Sequence, residues 1–137
     1  MKKLLFAVVI AASALAHAAG ESITVYKDAN CGCCNGWVDH LRESGYKVKA
    51  INSTDMTAVK KRLGVPEHMA SCHTAVVDAS GQVIEGHVPA AAIEKLIAKP
   101  SVKGVAVPGM PMNAPGMGKL NGNLETVDFA GKTFSKN

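Results

Sequence analysis

Three cysteines fall within four consecutive residues, Cys31-Gly32-Cys33-Cys34, and the only other cysteine of the chain, Cys72, stands beside His73. Clustered thiols support two kinds of chemistry. As thiolates they are nucleophiles for disulfide exchange, and they are also soft ligands for metal ions. The cluster lies between an alternating apolar run, Ile23-Thr24-Val25-Tyr26, and a helix-like run that begins near Asn35. A strand-to-helix junction suits such a cluster, because the free N–H groups and dipole at a helix start stabilise thiolate.

Both readings can be built on these residues. Cys31 and Cys34 have the C-x-x-C spacing of a thiol–disulfide oxidoreductase, with Cys31 leading and Cys34 resolving. Cys33 crowds a simple two-thiol mechanism and adds a third soft donor. Thiolates favour Cu(I), zinc and iron–sulfur clusters. Zinc fits less well, since structural zinc sites usually pair two separated knuckles. Four thiolates around one Zn²⁺ keep a double negative charge, whereas four bridging as many Cu⁺ ions keep none, which costs least in a shielded site. The metal reading therefore expects Cu(I), bridged in a multinuclear cluster. A stapled disulfide scaffold is disfavoured, because adjacent cysteines cannot close long loops.

The rest of the chain sets the context. Lys2 and Lys3, the apolar stretch Leu4 to Leu15 and the Ala16-His17-Ala18 cleavage pattern read as a signal peptide over 1–18. The mature chain is then expected to start at Ala19, exported to the periplasm, where disulfides can form. Its length suits one compact domain. The formal net charge of +4, with Lys2 and Lys3 in the leader, is too small and too evenly spread to suggest a nucleic-acid partner. No segment after the leader is long and apolar enough to span a bilayer.

Periodicity and stop signals place the elements. Residues 23–28 read as a strand. From Cys33, Cys34, Trp37, Val38 and Leu41 share a helix face that Gly45 ends. Lys47 to Ile51 reads as a strand. Asp55 caps a helix with Met56, Val59 and Leu63 on its apolar face, stopped by Gly64 and Pro66. Strands at 74–77 and 82–84 flank the turn Ala79-Ser80-Gly81. Pro89 opens a last helix, with Ile93, Leu96 and Ile97 inward. The order β-α-β-α-β-β-α predicts an α/β, thioredoxin-like domain with a mixed four-stranded sheet over 19–118. Glycines, prolines and Met110, Met112 and Met117 make the region after 100 a loop wrapping the domain. Residues 119–137 form an extension, with a short hairpin around Gly131.

With Cys31-x-Cys33-Cys34, Cys72-His73, Gly86-His87-Val88-Pro89-Ala90 and Val107-Pro108-Gly109-Met110-Pro111, the chain resembles the CopG family of periplasmic copper-associated proteins. The resemblance runs from about Ile23 to Gly118. It implies a thioredoxin-like fold, a part in copper resistance or homeostasis alongside other periplasmic copper-handling proteins, and copper ligation by Cys31, Cys33, Cys34 and Cys72. Thioredoxins place a cis-proline and threonine opposite their thiols; the matching stretch here is Ser71-Cys72-His73-Thr74. Cysteine and histidine can ligate where proline cannot.

His73 is a candidate ligand, or sets the basicity of Cys72. His87 reads first as part of the turn into the last helix. His40 and His68 read as surface residues, Trp37 as packing or shielding the site, and the loop methionines as gap-fillers.

Overall fold

The computed structural model describes residues 20–137; the expected leader at 1–18 and its cleavage point lie outside them. Strand β1 (Ser22–Lys27) leads through α1 (Gly32–Glu43) to β2 (Lys47–Asn52), then through α2 (Met56–Arg62) and a 3₁₀ turn (Glu67–Met69) to β3 (Thr74–Val77) and β4 (Val83–Glu85). Helix α3 (Ala90–Ile97) connects β4 to β5 (Gly104–Ala106), and β6 (Glu125–Asp128) and β7 (Thr133–Lys136) close the chain. All strands belong to one sheet, in the order β2-β1-β3-β4-β5-β6-β7.

The predicted β-α-β-α-β-β-α order is present, with β1 parallel to β2 and antiparallel to β3, and β3 antiparallel to β4. The sheet has seven strands rather than the expected four. The added strands start with β5, which pairs parallel to β4 across the α3 crossover. Gly104, Val105 and Ala106 are all buried. A strand this short and covered on both faces leaves no alternation to read, and the glycines and prolines around it signal loop. β6 pairs antiparallel with β5 and with β7, placing the last strands in the same sheet.

The core forms from the predicted inward positions. Ile23 and Val25 of β1 sit opposite Val77 and Ala75 of β3. They pack with Trp37, Val38 and Leu41 of α1 and with Ile93 and Leu96 of α3. Each buried aliphatic side chain of this kind contributes about 1.5–3 kcal/mol. Asp55 caps α2 by accepting from the Ala58 N–H at 2.9 Å. Gly45, at φ 94°, supplies the left-handed turn after α1. Pro89 is the N-cap of α3, one residue before the position expected for it.

Candidate metal centre

The cysteine triple is positioned by the start of α1. Cys31 is its N-cap residue, Cys33 lies in its first turn, and Cys34 points into the core with no exposed surface. Cys72 arrives from the opposite side, on the segment between the 3₁₀ turn and β3. The four Sγ atoms lie within 4.8 Å of one another. Cys31 and Cys34 are joined as a disulfide, while Cys33 and Cys72 are free thiols. The Cys33 Sγ sits 3.5 Å from that of Cys31.

Two imidazoles complete the group. His73 and His87 offer nitrogens within 4.8 Å of the Cys72 sulfur and of each other. The Cys72 Sγ is 3.4 Å from Nδ1 of His73 and 3.0 Å from Nε2 of His87. Nδ1 of His87 lies 2.7 Å from the Pro115 carbonyl oxygen. A carbonyl can only accept, so Nδ1 carries the proton and the Nε2 lone pair faces sulfur. This is how ligating histidines are usually oriented, their second nitrogen held by a carbonyl or carboxylate. His87 thus stands in the site, whereas its sequence context suggested a turn.

Burial governs the protonation states. Desolvation, reinforced by neighbouring Cys33, pushes the Cys72 thiol up to about 11. Burial likewise lowers His87. His73 has no exposed surface and falls to about 3, first through burial and then through repulsion from His87 and Lys60. Its ring lies against Trp37, with centroids 4.3 Å apart, and edge-on to His87 at 4.9 Å. Its Nε2 has no hydrogen-bond partner. Trp37 donates its own N–H to the Val88 carbonyl at 2.8 Å, so it packs and shields.

The buried neutral His73 makes the fold acid-sensitive. Between 6.5 and about 3 the unfolded chain binds a proton here that the folded chain refuses. Stability is fully present above 6.5 and falls with decreasing pH by up to about 1.4 kcal/mol per unit. Denaturant midpoints of the metal-free protein measured from pH 7.5 to 4.5 are expected to fall along that slope, and His73→Asn to flatten it. An equal slope in the variant would remove His73 as its source.

Glu85, fully buried at the end of β4, holds the Cys72 segment in place. Its carboxylate accepts from the Ser71 backbone N–H at 2.7 Å, the Thr74 hydroxyl at 2.6 Å and Lys60 Nζ at 2.5 Å. The residues that carry Cys72 and His73 are therefore fixed at both ends by one side chain. Sequence reasoning passed over Glu85, which lies one residue past the strand expected at 82–84 and closes the observed β4. His40, also expected at the surface, instead accepts from the Ala90 N–H at 3.0 Å and caps α3. His68 is exposed, as expected.

The glycine- and proline-rich loop packs against the same site. Ser71 Oγ donates to the Gly109 carbonyl at 2.5 Å. Gly116, at φ 85°, lies so close to α1 that a Cβ there would stand 2.7 Å from both the Cys33 carbonyl oxygen and the Trp37 nitrogen. Met117 packs against the core, while Met110 and Met112 are exposed.

A mixed α/β fold presenting convergent sulfurs and imidazoles defines a protein equipped for soft-metal or thiol redox chemistry. Two solved structures, "Copper resistance protein copG- Form 1" and "Form 2", superpose with TM-scores of 0.78 and 0.75. Each is 44% identical in sequence, over 86% of this chain and 98% of its own. The chain belongs to the CopG family of copper resistance proteins. Residues 69–117 also match the family described as "Protein of unknown function, DUF411". No curated protein matches the chain.

Proposed function

We propose that this protein binds copper as Cu(I) in the periplasm and serves copper resistance. The observation that carries the reading is the convergence of all four cysteine sulfurs within 4.8 Å, with His73 and His87 beside Cys72. In the fully reduced protein Cys31, Cys33, Cys34 and Cys72 supply bridging thiolates, enough for several ions sharing sulfurs. The imidazoles add neutral nitrogen donors that need no deprotonation. The thioredoxin-like order of elements, with Cys72-His73 opposite the helix cysteines, fits the same reading. The leader at 1–18 supports export, and other periplasmic copper-handling proteins are the expected sources and recipients of the ion.

The Cys31–Cys34 disulfide adds a redox side to this function. As a dithiol, the pair reduces two Cu(II) ions to Cu(I). Its two electrons go to the metal, its two protons to solvent, and the sulfurs join as the disulfide. Cys33, Cys72, His73 and His87 still offer a donor set after that step, so the Cu(I) produced has ligands waiting.

The test is anaerobic Cu(I) titration of the protein with all thiols reduced and again with Cys31 and Cys34 oxidised. More than one Cu(I) bound in the reduced form, with fewer in the oxidised form and protons released on binding, is the expected result. A single bound zinc with no preference for Cu(I) would falsify the reading. The disulfide at the start of α1, with a half-buried Cys31, favours thiol–disulfide exchange through Cys31 and Cys34 as the second reading.

A further inference from the structure

We infer that Cys33 and Cys72 form a second dithiol–disulfide couple, which closes after Cys31–Cys34 and releases the copper that the half-oxidised site holds. The couple belongs to the metal-free chain; the release rests on the Cu(I) reading above.

The fold brings the two thiols together. With Cys31 and Cys34 bridged, Cys33 and Cys72 are the free thiols of a chain with four cysteines. One stands in the first turn of α1 and the other on the segment that enters β3. Their sulfurs nevertheless lie within 4.8 Å of each other. A disulfide brings its sulfurs to about 2.05 Å. The remaining gap is of the size that one cysteine rotamer change spans. Both residues are half-buried, so a small oxidant reaches them.

Within one chain the pairing has a single outcome. A Cys33–Cys34 bridge would distort the peptide between adjacent residues, and Cys34 is already taken by Cys31. The Cys33 sulfur does lie 3.5 Å from that of Cys31, so exchange can move the first bridge along the helix start. Whichever two of the triple are bridged, one helix thiol remains, with Cys72 as its partner.

The chemistry balances with Cu(II) as the oxidant, as for the first couple. Two Cu(II) ions each accept one electron and become Cu(I). The S–H bonds of Cys33 and Cys72 break, their protons pass to solvent and the two sulfurs join. Both couples together supply four electrons per chain, twice what Cys31 and Cys34 supply alone.

The ligand set changes with each step. With one bridge closed, Cys33 and Cys72 remain as soft donors, with His73 and His87 beside Cys72. With both closed, every thiolate is gone and the imidazoles alone are left. Cu(I) is a soft ion held chiefly by thiolate, so the second closure frees it. The first oxidation makes Cu(I) and leaves it held; the second lets it go.

The experiment oxidises the reduced, metal-free chain with excess diamide in dilute solution. Diamide takes two electrons and two protons from each couple and leaves as the hydrazine. Remaining thiols are alkylated, and intact chains and their peptides are weighed. Monomers that take up no alkyl group are expected, with the Cys72 peptide joined to the peptide carrying Cys33. Cys31→Ser/Cys34→Ser, which keeps only the second pair, is expected to lose both thiols within one chain. Two alkylated thiols persisting in the wild-type monomer overturn the couple, as do bridges formed only between chains. Release is read separately. Wild-type protein oxidised with one equivalent of diamide, and with an excess, is freed of reagent and given Cu(I) as its bicinchoninate complex without oxygen. The first form is expected to take up Cu(I), and the second to lose most of that capacity. Equal uptake by both forms overturns the release. A second bridge that forms in a chain whose reduced state binds no Cu(I) supports the couple and overturns the copper reading, with the release.

Discussion

Cys72→Ser is expected to remove most of the Cu(I) capacity while leaving the Cys31–Cys34 pair chemically intact. Cys72 is the cysteine that approaches from outside α1, and its sulfur touches both imidazoles, at 3.4 and 3.0 Å. Serine keeps a polar group there but offers Cu(I) a hard hydroxyl in place of a soft thiolate. Loss of an outer-sphere partner of a metal ligand costs about 10–100-fold in affinity, so loss of a bridging ligand is expected to exceed about a hundredfold. The exchange reading predicts otherwise. Cys31 and Cys34 hold the disulfide, and a reductase assay on the variant would run at close to the wild-type rate. Measuring both on one preparation separates the two functions. Wild-type copper stoichiometry in the variant would exclude Cys72 as a ligand.

The second large effect concerns a residue that touches no sulfur. Glu85→Ala is expected to cost about 3–5 kcal/mol, the usual penalty for removing one partner of a buried ion pair. The Lys60 side chain is only 14% exposed, so it keeps a charge with little water to solvate it. The Ser71 N–H and Thr74 hydroxyl lose their acceptor at the same time. Glu85→Gln keeps the shape and one acceptor oxygen but not the charge, and is expected to lie between the two. Urea unfolding of the metal-free protein reads the stability directly. Cu(I) affinity of Glu85→Gln, with every cysteine present, reads the placement of Cys72, and is expected to fall. A variant within about 0.5 kcal/mol of wild type and with unchanged affinity would show that the carboxylate does not fix the segment.

The elements around the cysteines were legible because their signals are local. Trp37, Val38 and Leu41 repeat at helical spacing beside Cys34, Asp55 caps α2, and Gly45 ends α1, all as expected. The parts that escaped reading depend on distant residues. β5 exists because β4 offers it an edge, and three buried residues carry no periodicity of their own. His87 reaches the site because Pro115, 28 residues away, fixes its ring. His40 is a cap for a helix that starts 50 residues later. Glu85 is buried because Lys60 and the Ser71–Thr74 segment fold onto it. Chemical type named the four cysteines and His73 as candidates, but only the assembled chain shows how they meet.

Among the described residues the seven-stranded sheet is open at both sides, and its outer strands carry their own deterrent to association. β2 exposes Lys47 and Lys49, and β7 exposes Lys136. Lysines along an unpaired strand repel a second strand of the same kind and keep it from adding to the ladder. Growth of the sheet from molecule to molecule, the usual route from exposed edges to aggregates, is thereby discouraged at either end. Covalent joining of copies would then fall to Cys33 and Cys72, the half-buried free thiols, whose intermolecular disulfides a reductant reverses.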